Sequence, residues 1–328
     1  MVTGVNGPSA ARQDFVADPA ATVYIPTLNG GERLRACLRS LEAQTLRTAV
    51  VVADNAPGGD GCRDLIEREF PWVTRIPSGR NLGFGPALNR AIAATGEGSV
   101  ILLNDDAVAE PDFVRAMVAG SGETEMVAAV MVDAADPNRI DSAGVVVDQT
   151  LMGFDYLTGE PVSALDGAAD PLGPTGGGAL YRRETFERVG GFDENIFLYY
   201  EDVDLALRIR SEGGRCRIAP GARASHGYSE TLGARTGGKY SMTGWSRGYL
   251  LRRYGITSRP ATLAGAIVRE AVICAGQIVK DRTAAGTLAR IKGWREAAGL
   301  PRREVPPGAA IRMTAVQALE LRRKRHGG

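Results

Sequence analysis

An apolar run that stops abruptly at an amide and two carboxylates limits the folds this chain can adopt. Residues 101–103 are Ile-Leu-Leu, typical of a buried strand, and Asn104, Asp105 and Asp106 follow directly. Acids side by side at a sheet edge are unfavourable unless a cation neutralises them, and their oxygens suit a hard divalent cation. The pattern therefore predicts a strand end that carries a metal site, although an acidic pair after a strand can also be a simple turn.

Two earlier apolar runs also end in polar side chains. Residues 22–26 form a β-rich run that ends at Thr27 and Asn29, and residues 49–52 form another that ends at Asp54. In an open parallel α/β sheet, ligands bind outside the carboxyl ends of the strands, where strand order reverses. We therefore expect an α/β fold with a Rossmann-like, mostly parallel central sheet flanked by helices, and one crevice that these residues share.

The composition is that of a globular protein. A chain of 328 residues with 44% hydrophobic and 23% charged residues can bury one large core or two modest ones. The four cysteines form no C-x-x-C pair, so the sequence indicates neither a disulfide framework nor a thiolate zinc site and favours a reducing cytoplasm. Residues 1–21 lack the apolar core of a secretory signal and are expected to be a flexible lead-in.

Charge is divided unevenly along the chain. Residues 245–328 contain 17 Lys and Arg against 5 Asp and Glu, a balance of +12, whereas residues 1–244 carry −11. The largely apolar residues 260–280 and the Arg-Arg-Lys-Arg run at 322–325 fit a surface that lies on an anionic membrane. Arg269 interrupts the apolar run, so we expect it not to cross the bilayer. A solvated helical bundle explains this third of the chain equally well. Nucleic acid is not expected, because the basic region has little aromatic interleaving and no recognised binding motif.

A second group of acids follows a glycine-rich loop at residues 176–178. Residues 196–200 are large apolar or aromatic side chains, and they lead into a helix that opens with Glu201, Asp202 and Asp204. Acids are favoured in a first helical turn by the macrodipole, which is a sufficient structural reason for them. Adjacent carboxylates beside such an apolar run are also shielded from bulk water, so one of them is a candidate general base.

In their order and spacing, these segments resemble family 2 of the glycosyltransferases, which has the A-type fold, and within it the bacterial rhamnosyltransferase-like branch. The resemblance covers residues 22 to about 230. The matching segments are Ile-Pro-Thr-Leu-Asn at 25–29, Val-Ala-Asp-Asn at 52–55, Asn-Leu-Gly-Phe-Gly at 81–85, Leu-Leu-Asn-Asp-Asp at 102–106, Gly-Gly-Phe-Asp-Glu at 190–194 and Tyr-Glu-Asp-Val-Asp at 200–204.

The resemblance implies a role for each matched residue. Asp202 matches the catalytic base, Asp106 matches the principal metal and diphosphate residue, and His226 resembles a histidine that completes the metal shell. Asn104 departs from a strict D-x-D element. The implied donor-binding residues are Thr27, Asn29, Asp54, Asn81, Gly83, Phe84, Asn104 and Asp105. On the acceptor side we expect Gly177, Gly178, Glu201 and Asp204.

The implied activity is an inverting, metal-dependent sugar transfer that uses Mg²⁺ or Mn²⁺. The donor is a nucleoside-diphosphate sugar, with dTDP-L-rhamnose the best match, and the acceptor is a glycan or lipid-linked hydroxyl in cell-surface polysaccharide synthesis. We expect residues 22–110 to hold the nucleotide-sugar, residues 111–244 the acceptor, and residues 245–328 to form a basic helical extension. The protein is expected in the cytoplasm or peripherally on the inner face of the cell membrane.

Two alternatives of other classes remain open on the sequence. A sugar nucleotidyltransferase also places acids at strand ends, although the loop at residues 27–33 has a single Arg and an acid where a triphosphate site needs a basic, glycine-rich loop. A non-catalytic glycan- or membrane-binding scaffold of the same fold is the other. A dinucleotide-dependent oxidoreductase is disfavoured because no G-x-G-x-x-G follows the first strand.

Overall fold

The computed structural model of this chain describes residues 18–58, 60–122, 124–226 and 236–313. Residues 1–17 of the predicted lead-in and the basic run at 322–325 lie outside the described residues. The first strand, β1, spans Asp18–Thr27 and therefore begins inside the segment predicted as a lead-in.

Strands and helices alternate through the first part of the chain, as the polar strand ends predicted. The elements that follow β1 are α1 (Gly31–Glu42), β2 (Thr48–Asp54), α2 (Arg63–Glu69), β3 (Thr74–Pro77), α3 (Phe84–Ala94), β4 (Ser99–Leu103), β5 (Ala107–Ala109), α4 (Phe113–Gly120) and β6 (Met126–Asp133).

The second part has shorter strands and then helices. It contains β7 (Ile140–Ser142), β8 (Val145–Asp148), β9 (Gly153–Asp155), β10 (Gly178–Tyr181), α5 (Arg183–Arg188), α6 (Glu201–Ser211), β11 (Cys216–His226), α7 (Gly237–Arg253), α8 (Pro260–Asp281), α9 (Ala285–Glu296) and β12 (Ala310–Ile311).

The central sheet has the strand order β3-β2-β1-β4-β10-β6-β11-β5, with β7 paired to β6. The half formed by β3, β2, β1 and β4 is parallel, whereas β10 runs antiparallel to both of its neighbours. Thr27 is paired with Asp54 in register, and Leu103 at the end of β4 with Gly178. The register thus brings the ends of β1 and β4 and the glycine loop to one edge of the sheet, confirming the expected α/β architecture.

Helices cover both faces of this sheet, which is why its strands read as nearly continuous apolar runs. Adjacent residues of β1 point to opposite faces. Tyr24 packs into a core that includes side chains of α3, α6 and α7, and Ile25 packs into a core formed with α1, α2 and α4. The central sheet and the C-terminal helices consequently share one hydrophobic core.

The C-terminal helices pack closely on one another and on the part of the chain that precedes them. A Cβ atom on Gly248 would lie 1.9 Å from the carbonyl oxygen of Arg290, so only glycine permits this approach of α7 to α9. The hydroxyl of Tyr249 on α7 donates to Asp193 at 2.7 Å. The predicted division at residue 244 falls within α7 rather than between elements.

One helix among the described residues is long and apolar enough to cross a membrane by length and composition alone. Residues 262–281 have a mean hydropathy of 1.5, and 11% of that window is buried. The run passes this test although Arg269 interrupts it, and the expectation that it does not cross a bilayer stays a prediction. At the middle of α8, Arg269 forms an ion pair with Asp148 at 2.8 Å, and Glu270 forms one with Arg247 at 2.6 Å.

Candidate active site

The polar ends of the central strands line one large crevice, of about 1020 Å³. Its other wall is made by the loop and the first turn of α6 and by side chains of the C-terminal helices. The predicted site residues on its surface are Thr27, Asn29, Asn81, Gly83, Phe84, Asn104, Asp105, Asp106, Gly177, Glu201 and Asp202. Tertiary structure thus brings together residues up to 175 positions apart, because strand ends of one sheet converge on a single edge.

The acids after β4 form the negatively charged end of this crevice. Thr27 donates its hydroxyl to Asp105 Oδ2 at 2.6 Å, which joins the ends of β1 and β4. Burial raises the pKa of Asp105 above its usual range, the Thr27 hydrogen bond lowers it, and the neighbouring Asp106 carboxylate raises it. A cation bound here would relieve this concentration of negative charge.

The chemistry of these side chains fits Mg²⁺ or Mn²⁺. Asp105 and Asp106 supply carboxylate oxygens and Asn104 supplies an amide oxygen on the same crevice wall. Among the residues that the structure describes, no three His, Cys, Asp or Glu side chains are grouped to enclose an ion. A protein binds Mg²⁺ typically through one or two carboxylates, with phosphates and water completing the octahedron, so two acids suffice where a diphosphate also binds.

His226, the other predicted metal residue, is the last residue of β11. Its backbone is paired with Ala107, the residue that follows Asp106, and with Asp133 at the end of β6. The strand therefore ends beside the acidic turn. Its role as a metal ligand stays a prediction.

A strained aromatic segment precedes the acids of α6. Tyr199 and Tyr200 both have left-handed backbone conformations, with φ of 70° and 69°, which are rare for bulky residues. The segment is held from both sides: the Phe84 amide donates to the Phe197 carbonyl at 2.8 Å, and the Ser246 hydroxyl donates to the Leu198 carbonyl at 3.1 Å. Such strain persists only where surrounding contacts hold the backbone in place. The strained segment positions the first residues of α6 on the crevice wall.

The Glu201 and Asp202 carboxyl groups, at the start of α6, have different surroundings. Asp202 is half-buried and accepts hydrogen bonds from the backbone amides of Val203 at 2.7 Å and Gly176 at 3.3 Å. Burial raises the pKa of Asp202 to about 6; these two amides lower it and the Asp155 carboxylate raises it. Glu201 is buried, and its Oε2 has no hydrogen-bond partner among the described residues. Burial and then the Asp202 charge raise the pKa of Glu201 to about 8.

Asn55, a residue that the sequence did not assign to the site, holds the loop at residues 81–83 in place. Its side-chain amide donates to Asn81 Oδ1 at 3.0 Å and to the Gly83 carbonyl at 2.9 Å, and its Oδ1 accepts from the Leu82 amide at 2.8 Å. Gly83 has φ of 91°, and a Cβ there would lie 2.3 Å from the Phe197 carbonyl oxygen. The polar pair Asp54 and Asn55 at the end of β2 could have indicated a site residue here, and Asn55 is the one that lines the crevice.

Besides His226, three predicted site residues do not line the crevice. Asp54 is fully buried and pairs with Arg75 at 2.8 Å, behind the wall that Asn55 forms. Gly178 is buried in β10, where a Cβ would meet the Met131 sulfur at 2.6 Å. Packing within the sheet, rather than a ligand, therefore requires glycine at position 178.

Asp204 is the third, and the geometry of a helix is the reason. Residues two apart on a helix do not face each other, so Asp204 points away from the side that Asp202 presents. It is fully buried, pairs with Arg208 at 2.8 Å, accepts from the Tyr254 hydroxyl at 2.8 Å and contacts Arg303. The structure makes it an anchor for the C-terminal extension instead of an acceptor-side residue.

The C-terminal helices contribute crevice residues for which no motif gave a signal. The guanidinium of Arg247 on α7 lies 5.5 Å from the centre of the Tyr200 ring and pairs with Glu270 of α8 at 2.6 Å. Lys239 of α7 lies 5.8 Å from the Tyr199 ring centre. Both distances are typical of cation–π contacts, so α7 supports the strained aromatic segment directly.

Comparison with known proteins gives consistent matches. The sequence model of the family "Glycosyl transferase family 2" matches residues 22–190. The N-acetylglucosaminyl-diphospho-decaprenol L-rhamnosyltransferase of Mycobacterium tuberculosis is 29% identical over 237 residues, which are 64% of this chain and 77% of that protein.

Two solved structures share the fold. One is S. aureus TarS 1–349, with a TM-score of 0.53 and 15% identity, covering 85% of this chain and 81% of that one. The other is GalNAc-T7 with UDP, GalNAc and Mn²⁺, with a TM-score of 0.55 and 16% identity, covering 80% of this chain and 56% of that one.

Proposed function

This chain belongs to glycosyl transferase family 2, and we propose that it transfers L-rhamnose from dTDP-L-rhamnose to a hydroxyl of a lipid-linked glycan, with inversion at the anomeric carbon. It is a rhamnosyltransferase-like member of that family, which sets aside sugar nucleotidyl transfer as an alternative. The observation that carries the mechanism is the placement of two kinds of acid in one crevice. Asp105 and Asp106 lie at the ends of the strands, and the half-buried Asp202 lies on the wall formed by α6.

The acidic turn after β4 is the proposed metal and diphosphate site. Asp106 would hold the ion, with Asp105 and Asn104 beside it, and a bound divalent cation supplies charge neutralisation for a departing nucleoside diphosphate. The raised pKa of Asp105, caused first by burial and further by the neighbouring Asp106 carboxylate, is consistent with this assignment, because a bound cation would favour the ionised carboxylate. A bound Mn²⁺ in a structure that shares the fold is consistent with it.

Asp202 is the proposed general base. Its two backbone hydrogen bonds fix the carboxylate, and its raised pKa of about 6 leaves it ionised at neutral pH yet more basic than an exposed aspartate. It takes the proton of the acceptor hydroxyl while that oxygen bonds to the anomeric carbon. The bond from that carbon to the diphosphate oxygen breaks on the opposite face, and the diphosphate departs with the bonding electrons, which inverts the centre.

The remaining donor contacts are proposed for residues just after β1 and for the loop just before α3. Thr27, Asn29, Asn81 and Gly83 all line the crevice. Thr27 and Asn29 would hold the nucleotide, and the loop that contains Asn81 and Gly83 would lie beside the sugar. The hydrogen bonds from Asn55 keep that loop in place before the donor arrives. A loop that is already ordered does not lose conformational freedom on binding, which favours affinity.

The acceptor is proposed to be linked to a lipid through a diphosphate, as in the name of the mycobacterial relative. Met152, Phe154 and Ile273 are apolar residues of the crevice wall, and they suit the lipid side of such an acceptor. A location on the cytoplasmic face of the membrane follows from this choice of acceptor.

The test is a donor panel assayed with Mn²⁺ or Mg²⁺ and an N-acetylglucosaminyl-diphospho-prenol acceptor. We expect dTDP-L-rhamnose to give transfer, UDP-hexoses to give little, and the product to have the inverted anomeric configuration by NMR. Asp106→Ala should abolish transfer and weaken metal-dependent binding of dTDP, whereas Asp64→Ala, at an exposed acid in the first turn of α2, should behave as wild type. Transfer from a UDP-hexose alone would reject the donor, and full activity of Asp106→Ala would reject the metal site.

A further inference from the structure

Helix α8 has its polar and apolar sides reversed relative to an ordinary surface helix. A surface helix normally turns an apolar stripe to the core and polar residues to water. The exposed residues of α8 that lie within an arc of about 140° at 3.6 residues per turn are all apolar. This apolar face of α8 consists of Ala264, Ile267, Val268, Ala271, Val272, Ala275, Ile278 and Val279.

The side of α8 that contacts the protein carries its charges. Glu270 accepts from Arg247 and from Arg290, each at 2.6 Å, and all three side chains are at least mostly buried. Arg269 pairs with Asp148 at 2.8 Å and donates to the Met313 carbonyl at 2.8 Å. These contacts fix which side of the helix faces outward, so the exposure of the apolar face is a property of the folded chain.

Exposed apolar side chains are concentrated on α8 and its neighbour. Of the twelve large apolar side chains that are exposed in the described part of the chain, eight belong to α8 and α9. Val279 is 77% exposed and Val272 is 65% exposed on α8, and Leu288 is 66% exposed on α9. Isolated exposed apolar residues are ordinary, whereas such a concentration marks an interaction surface.

The charge around this surface is positive. Residues 259–296 expose five basic side chains and one acid: Arg259, Lys280, Arg282, Lys292, Arg295 and Glu296. The acid at the end of α8, Asp281, is partly buried and accepts from the Tyr240 hydroxyl at 2.7 Å. Basic residues beside an apolar helical face are the pattern of helices that bind anionic lipid. A second copy of this chain would bring like charges together across such an interface.

We propose that α8 and α9 dock on an anionic lipid bilayer, with α8 lying in the interface and its apolar face buried among the lipid chains. The ion pairs on its other side stay with the protein, so the helix lies along the membrane and does not cross it. Ile273 and Gln277 on the inner side of α8 line the crevice. Docking therefore places the crevice about one helix diameter, ~10 Å, from the lipid surface.

The experiment is co-sedimentation of the full chain with vesicles, without donor or metal, so its result is independent of the proposed sugar transfer. Vesicles of phosphatidylcholine alone are compared with vesicles that contain one quarter phosphatidylglycerol. We expect binding to the anionic vesicles that falls at high salt, because attraction at the surface is screened over ~8 Å at physiological ionic strength.

Variants identify the surface. The triple variant Val268→Gln, Val272→Gln, Val279→Gln should bind at least tenfold more weakly, and Gln has the higher helix propensity, so α8 should still form. Leu300→Gln, at a 37% exposed apolar residue outside both helices, is the control and should bind as wild type. Lys280→Gln with Arg282→Gln should weaken binding to anionic vesicles and remove much of its salt dependence.

Three results would overturn the proposal. The first is equal binding of the triple variant and wild type, and the second is no binding of wild type to either vesicle. The third is a wild-type dimer in analytical ultracentrifugation that the triple variant converts to monomer while vesicles bind neither. That result would assign the apolar face of α8 to a second copy of the chain.

Discussion

Glu201 and Asp202 are adjacent carboxyl groups that the fold equips for different tasks. Asp202 keeps partial access to the crevice and is held by two backbone amides, whereas Glu201 is buried with an oxygen that lacks a hydrogen-bond partner among the described residues. Two such groups titrate as a pair, and burial keeps the proton preferentially on Glu201. Asp202 is therefore the member that is ionised at neutral pH, as its proposed role as a base requires.

Asp202→Asn should separate proton transfer from binding. The amide keeps the size of the side chain but cannot take a proton, so kcat should fall by ~10²-fold or more while donor affinity changes little. Steady-state kinetics of transfer and calorimetric titration with dTDP measure the two quantities. In the wild type, activity should decline as the pH falls through about 6, since Asp202 then becomes protonated. A matching loss of donor affinity in Asp202→Asn would instead indicate a binding role.

Glu201→Gln should change how stability depends on pH. The folded-state pKa of Glu201 is raised from 4.5 to about 8, so the folded chain holds a proton that the unfolded chain releases. The stability from this group is present below about pH 4.5 and is lost as the pH rises through about 8. Glutamine does not titrate, so the variant should gain stability relative to wild type between pH 5 and pH 8.5.

The melting temperature of both proteins at the two pH values measures this difference. Glu194→Gln, at an exposed acid on the neighbouring loop, is the control and should show no such trend. A Glu201→Gln variant whose stability runs parallel to wild type across this range would mean that the carboxyl group is ionised in the folded chain.

At the scale of elements, the crevice depends on loops that packing holds in unfavourable conformations. The left-handed residues Tyr199 and Tyr200 are supported by α7 through Arg247 and Lys239, and the loop at residues 81–83 is supported by Asn55. The two loops meet where the Phe84 amide donates to the Phe197 carbonyl at 2.8 Å. The two loops that line the crevice are thus joined at one point.

Asn55→Ala should raise the KM for the donor more than it lowers kcat. The substitution removes three hydrogen bonds that order residues 81–83, and each contributes about 0.5–1.5 kcal/mol net. An increase of about tenfold in KM corresponds to about 1.4 kcal/mol, the loss of little more than one of them. Kinetics with varied dTDP-L-rhamnose measures it, with Asn138→Ala on an exposed turn as control. An effect confined to kcat would contradict a role in donor binding.

On the scale of the whole molecule, the C-terminal extension is part of the catalytic fold rather than an appendage. Arg303 reaches back to Asp193 at 2.8 Å and contacts Asp204, and Tyr249 and Tyr254 donate to the same two acids. The acids belong to the predicted catalytic half and their partners to the predicted extension. Arg303 of the extension thereby neutralises the charges of Asp193 and Asp204 in the preceding part of the chain.

Arg303→Ala should destabilise the whole chain in one cooperative transition. Removing a charged partner from buried Asp204 should lower the free energy of unfolding by about 1.5–3 kcal/mol, measured by urea denaturation. Arg302→Ala is the matched control, since Arg302 is exposed and should change stability by only about 0.5 kcal/mol or less. Equal effects of the two substitutions would show that the buried network does not couple the halves.

The sequence by itself determined the parallel part of the sheet, β3-β2-β1-β4, and the shared crevice, but not the antiparallel pairings of β10, β5 and β7. Apolar runs that end in Thr27 and in Asn104, Asp105 and Asp106 predict parallel strands, and the carboxyl ends of such strands must meet at one edge. The acids before and within α6 likewise predicted a shielded carboxylate, and Asp202 occupies that position. These features depend on local pattern and on the geometry of a single sheet, which sequence periodicity encodes.

Only the tertiary structure decided which polar residues turn towards the crevice. Asp202 and Asp204 are equivalent in the sequence pattern, but residues two apart on a helix face different neighbours, so one reaches the crevice and the other anchors Arg303. Asp54 and Asn55 are divided in the same way, by alternation at the end of a strand. The contribution of α7 and the outward apolar face of α8 depend on contacts between residues far apart in the chain, which no local pattern specifies.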